Sequence, residues 1–105
     1  MIIYVDIDGT LCVASSDLDY TKAEPINNNI EAVNALYDSG HTIVIWTARG
    51  TVNNNSEIAL ATRQQLDLWG VCYHELKFGK PFFDYLFDDR ALQPNHLESL
   101  VELLS

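Results

Sequence analysis

Residues 2 to 10 read Ile2-Ile3-Tyr4-Val5-Asp6-Ile7-Asp8-Gly9-Thr10, and their reading decides the fold. Ile2 to Val5 is a continuous apolar run rich in β-branched and aromatic residues, the pattern of a strand covered on both faces. The run breaks at two aspartates and an Asp-Gly turn signal. This is a central strand of a parallel sheet that ends in carboxylates.

Working outward, Asn27 to Ser39 carries Ile30, Val33, Leu36 and Tyr37 at helical spacing, follows Pro25 and stops at Gly40, which suits a left-handed C′ position. Thr42 to Trp46 repeats the buried-strand pattern, and Thr47-Ala48-Arg49-Gly50 with the polar run Thr51 to Asn55 makes a loop. Ser56 is a candidate N-cap with Glu57 behind it. Ile58, Ala61, Gln65, Leu66 and Trp69 then form a second helix before Gly70. A weaker strand is expected over Val71 to Glu75 and another over Tyr85 to Phe87, the latter ending in Asp88-Asp89. Pro94 opens a closing helix through Leu97, Leu100, Val101 and Leu104. Residues 9 to 25 fit neither element. The order is α/β, and right-handed crossovers predict helices on both faces of a mostly parallel sheet.

At 105 residues the chain is one domain, 1–105, with no room for a second module. The 48% hydrophobic content excludes disorder, and a formal net charge of −9 disfavours a nucleic-acid partner. No apolar run approaches the ~20 residues that span a bilayer, and Met1 leads into Ile2 without a basic flank. A cytoplasmic protein without a membrane partner is expected, with Cys12 and Cys72 as reduced thiols.

In an open α/β sheet, ligands bind beyond the carboxyl ends of the strands. Asp6 and Asp8, Thr47, and Asp88 with Asp89 all fall at such ends. Four carboxylates in one cleft call for a hard cation, and magnesium accepts one or two carboxylates together with a substrate phosphate. A nucleophile, an acid, a hydroxyl donor and a cation are the parts of a phosphoryl-transfer site. Arg49 is a candidate bidentate donor to phosphate. His41, His74 and His96 lack metal-ligand spacing. Neither cysteine opens a cysteine-phosphatase loop, and Gly79-Lys80 lacks the upstream glycine of a P-loop.

Asp6-Ile7-Asp8-Gly9-Thr10 after an apolar strand resembles the first motif of the haloacid dehalogenase-like phosphatases. Thr47 at the end of Ile43-Val44-Ile45-Trp46 is similar to the second motif, Lys80-Pro81 to the third, and Asp88-Asp89 to the double-aspartate form of the fourth. They occur in order and span positions 6 to 89. Lys77 competes with Lys80 for the third motif, and the following proline favours Lys80.

The resemblance implies a three-layer Rossmannoid sandwich with a central sheet. It also implies a nucleophile at Asp6, an acid and base at Asp8, and Thr47 and Lys80 on phosphoryl oxygens. Magnesium would be held by Asp6, the Asp8 carbonyl and Asp88, with Asp89 helping through water. A second aspartate at position 8 marks phosphatases and phosphomutases in that family. The chain has no insertion long enough for a cap domain, and it is most similar to small phosphatases encoded with capsule or surface polysaccharide genes. A small phosphorylated substrate, a sugar or similar metabolite, is therefore expected. The open site is covered by the loop Leu11 to Lys22, by Gly50 to Asn55, by a neighbouring subunit in a homo-oligomer, or by the substrate itself. The rival readings are a polynucleotide 3′-phosphatase and a non-catalytic metal-binding regulatory module.

Overall fold

The computed structural model describes residues 1–15, 19–50 and 56–104. Strands β1 (Ile2–Val5), β4 (Thr42–Trp46) and β5 (Glu75–Lys77) form a parallel sheet in the order β1-β4-β5. Two short strands, β2 (Cys12–Val13) and β3 (Glu24–Pro25), pair antiparallel as a flap. Helices α1 (Asn27–Asp38), α2 (Ser56–Leu68) and α3 (Leu97–Leu104) complete a small α/β fold of Rossmann-like class. The expected first two strands and the three helices are present.

Register fixes which side chains share a face. Ile3 lies opposite Ile43, and Val5 opposite Ile45, which in turn faces Leu76. This face carries the core: Val5, Ile43 and Ile45 are buried in one cluster with Ile30, Val33 and Leu36 of α1, Leu66 of α2 and Leu97 of α3. On the other face, Tyr4 opposes Val44, and Trp46 opposes Lys77. There Ile2 and Tyr4 are exposed, while Val44 is buried beside an edge-to-face contact of Tyr4 and Trp46.

The expectation of helices on both faces is therefore corrected. Both crossovers, β1 to β4 and β4 to β5, step the same way across the sheet, and right-handedness then puts α1 and α2 on one side. Helix α3 packs against α1. The described residues form two layers, and the third layer of the expected sandwich is not built.

The strand expected at Tyr85 to Phe87 is also absent. Residues 81–90 are all exposed and none of them lies in a strand. Only residues 78–84 separate β5 from that run, whereas a parallel neighbour in one sheet needs a crossover of about a dozen residues. The strand expected over Val71 to Glu75 lies further on, at Glu75–Lys77. The residues before it are tied elsewhere: the Val71 amide donates to the Leu66 carbonyl at 3.0 Å and the Cys72 amide to Asn34 Oδ1 at 2.8 Å.

Helix α1 ends as its sequence predicts. Gly40 sits at φ 96°, its amide donates to the Tyr37 carbonyl, and the His41 amide donates to the Leu36 carbonyl, the double bond of a Schellman motif. Ser56, expected as an N-cap, is the first helical residue of α2. Because Leu36 is 1% and Leu68 84% exposed, Leu36→Ala is expected to cost about 2–5 kcal/mol and Leu68→Ala within about 0.5 kcal/mol of nothing, as read by urea denaturation.

Candidate functional site

Asp6 follows β1 and Thr47 follows β4, so two neighbouring parallel strands deliver them to the same end of the sheet. The turn after Asp6 is wound tightly on one carbonyl: the amides of Thr10, Leu11 and Cys12 all donate to Ile7 O, at 3.1, 2.8 and 3.3 Å. Gly9 enters it at φ 86°, where a side chain would be strained. This winding brings Asp8 back beside the sheet.

Lys80 reaches the same place from the segment after β5. Its amide donates to the Thr47 carbonyl at 3.1 Å, and its Nζ stands 3.9 Å from Asp6 Oδ2, between the rings of Trp46 and Phe83. Its rival Lys77 bonds Tyr4 Oη at 3.0 Å and lies 4.0 Å from Glu75, so Lys80 is the lysine that meets Asp6. Burial pushes the Asp6 carboxyl above the usual carboxylate range, and the Lys80 charge offsets this only in part.

Thr47 is buried, and its Oγ1 accepts from the Arg49 amide at 3.1 Å. Its own hydroxyl proton is thus left to donate. Arg49 itself is 2% exposed and turned inward. Its Nε and Nη2 donate to both oxygens of Asp8, at 2.9 and 2.8 Å, and its Nη1 donates to Gln65 Oε1 at 2.7 Å and Thr62 Oγ1 at 3.4 Å. The Tyr20 ring lies 4.4 Å from the guanidinium. Arg49, expected as a phosphate contact, holds Asp8 in this structure.

Gln65 also ties the flap side to the helix, its Nε2 donating to the Tyr20 carbonyl at 2.7 Å. Neither Tyr20, Thr62 nor Gln65 stands out as a site residue in the sequence. The available signal was Gln65 itself, an amide on the inward stripe of α2 that needs a buried partner.

Cys12 is wholly buried, with its Sγ 3.4 Å from Asp8 Oδ1. Burial, reinforced by the Asp8 charge, pushes this thiol up to about 12. Burial and the direction of this shift both disfavour a thiolate at neutral pH. Both cysteines are free, as expected.

Asp88 and Asp89 do not join this group. Both are exposed, and Asp88 Oδ1 accepts from the Arg90 amide at 2.8 Å in a local turn. Among the described residues, no three His, Cys, Asp or Glu side chains gather as a metal-binding group. His41 and His74 lie away from the site, against the N-terminal amine and the Tyr37 ring respectively. Of the segments expected to cover the site, residues 16–18 and 51–55 lie outside the described residues.

The structure is similar to a crystal structure of an MCSG target from Vibrio cholerae, with a TM-score of 0.80 and 30% sequence identity over 98% of this chain and 94% of that one. No protein-family model matches the chain, and no curated protein does.

Two outcomes follow from the electrostatics. Asp6 has a folded-state pKa above its unfolded value, so its contribution to stability is present at acid pH and lost as pH rises through the folded value. Asp6→Asn is therefore expected to melt above the wild type at pH 7 in EDTA, the gap closing as pH falls towards about 4. Titration with a thiol reagent should find Cys72 in the native protein and Cys12 only after denaturation.

Proposed function

The chain belongs to one family with the Vibrio cholerae protein, and from the chemistry of its site we propose that it is a magnesium-dependent phosphomonoester hydrolase of the haloacid dehalogenase type, working through an aspartyl-phosphate on Asp6. The observation that carries this reading is the meeting of Asp6, Asp8, Thr47 and Lys80 at the carboxyl ends of two adjacent parallel strands, with Lys80 Nζ 3.9 Å from Asp6. These residues resemble the first three motifs, and a nucleophile, an acid and two donors are the parts that phosphoryl transfer uses.

In the first step an Asp6 oxygen attacks phosphorus, the bond from phosphorus to the substrate's alcohol oxygen breaks, and that oxygen leaves with its electron pair and takes a proton from Asp8. In the second, Asp8 takes a proton from water, the water oxygen attacks phosphorus, and Asp6 is released with inorganic phosphate. Lys80 and the Thr47 hydroxyl hold the phosphoryl oxygens as charge builds on them. In the resting site Arg49 holds both Asp8 oxygens in a fork of two bonds, so one oxygen must leave that fork to carry the proton that Asp8 delivers.

Magnesium, when bound, neutralises charge on the transferring phosphoryl group. The described residues of one chain offer it Asp6 and Asp8 alone among carboxylates, with both Asp8 oxygens already on Arg49. That leaves Asp6 as the carboxylate free for the ion, the lower end of the one or two that magnesium takes beside water and substrate phosphate.

The substrate we propose is a phosphorylated sugar or similar small metabolite in the cytoplasm. A chain of net charge −9 repels polynucleotides. The test is phosphate release from phosphorylated sugars, nucleotides and 3′-phosphorylated oligonucleotides, with magnesium or EDTA. Turnover is expected with magnesium and the sugars, and Asp6→Asn should lose at least about a thousandfold in kcat. Activity surviving that change would sink the aspartyl-phosphate route.

A further inference from the structure

Several observations on the segment after Lys80 point the same way. Phe82, Phe83, Tyr85, Leu86 and Phe87 are all exposed, Phe87 to 98%. At ~200 Å² for a fully exposed ring, with Leu86 and Leu92 added, this segment presents on the order of 700 Å² of apolar surface. A monomer rarely leaves so much uncovered. The sheet has a matching vacancy: β1 pairs with β4 alone, so its outer edge has no partner among the described residues, and the exposed Ile2 and Tyr4 stand beside that edge. An apolar edge strand of this kind takes an added strand.

The chain cannot fill its own vacancy. Lys80 is anchored by its amide to the Thr47 carbonyl, at the carboxyl end of β4. To run parallel beside β1, residues 85–87 must start at the opposite end of the sheet and beyond β1. Residues 81–84 span at most about 14 Å. The journey needs that length merely to return along the strands, and about 10 Å more to cross from β4 past β1 at ~4.8 Å per strand.

We propose that a second copy of this chain fills the edge: residues 81–89 of each copy lie along β1 of its partner, and Asp88 of the partner subunit reaches Asp6. The catalytic part of this statement rests on the phosphatase reading. The exchange is reciprocal and closed, so each copy gives a segment and receives one, and the two contributions exceed the ~800 Å² per partner of a standard interface. It also supplies a second carboxylate beside Asp6 for magnesium, which takes one or two.

The experiment uses Asp6→Asn and Asp88→Asn, each inactive alone, co-expressed with different tags and purified on both. In an exchanged dimer, one of the two sites then carries both changes and the other carries neither, so the doubly tagged dimer is expected to recover about half of the wild-type rate. If each site lies within one chain, every site carries one lesion and nothing returns, which overturns the proposal. Phe87→Asp gives a readout without activity. Phe87 touches little within one chain, so the far-ultraviolet circular dichroism should stay unchanged while the mass by light scattering falls from dimer to monomer. A monomeric wild type, or a dimer untouched by Phe87→Asp, overturns the exchange. Should the wild type hydrolyse nothing, the phosphatase reading fails separately. Magnesium calorimetry on the doubly tagged dimer then decides, recovered binding supporting the exchanged site and its absence overturning it.

Discussion

The buried guanidinium of Arg49 is the constraint on which the site depends. A charge that is 2% exposed survives only where counter-charge and hydrogen bonds replace its water. Asp8 supplies the charge, and Gln65 and Thr62 supply the remaining acceptors. Three separate parts of the chain are thereby locked together: the turn after β1, the loop after β4 and the inward face of α2. The Tyr20 ring and its carbonyl, which accepts from Gln65, add the flap side to the same group. Removing Asp8 would strand the arginine, and removing the arginine would free Asp8 to turn.

The rest of the site follows from strand polarity. Parallel pairing of β1 with β4 puts their carboxyl ends side by side, so residues 41 positions apart meet without any local signal between them. The Lys80 amide on the Thr47 carbonyl extends the same logic to the chain beyond β5. The electrostatic arrangement is a compromise. Asp6 is buried enough to resist ionisation, and Lys80 stands near enough to offset part of that cost.

Much of this was legible in residue order. Apolar runs of four and five residues gave β1 and β4 their bounds, and Gly40 marked the end of α1, because each depends on chemistry within a few positions. The motif residues Asp6, Asp8 and Thr47 could be placed at strand ends for the same reason. What was not legible depends on distance through space. Arg49 has the same side chain whether it faces a phosphate or an aspartate, and only the fold shows that Asp8 claims it. Tyr85 to Phe87 has strand composition, but composition does not report that residues 78–84 are too few to carry it across the sheet. The second face of the sheet was read as covered because Ile2 and Tyr4 are apolar, and handedness of the crossovers settled otherwise.

Cys12 shows what such a site gains beyond geometry. Peroxides attack the thiolate and spare the thiol. A sulfur held up at about 12 and sealed from solvent presents almost none of the reactive form. The carboxylates beside it have no comparable oxidation chemistry. The packing that fixes Asp8 therefore also shields this sulfur, using a cysteine as a small apolar filler.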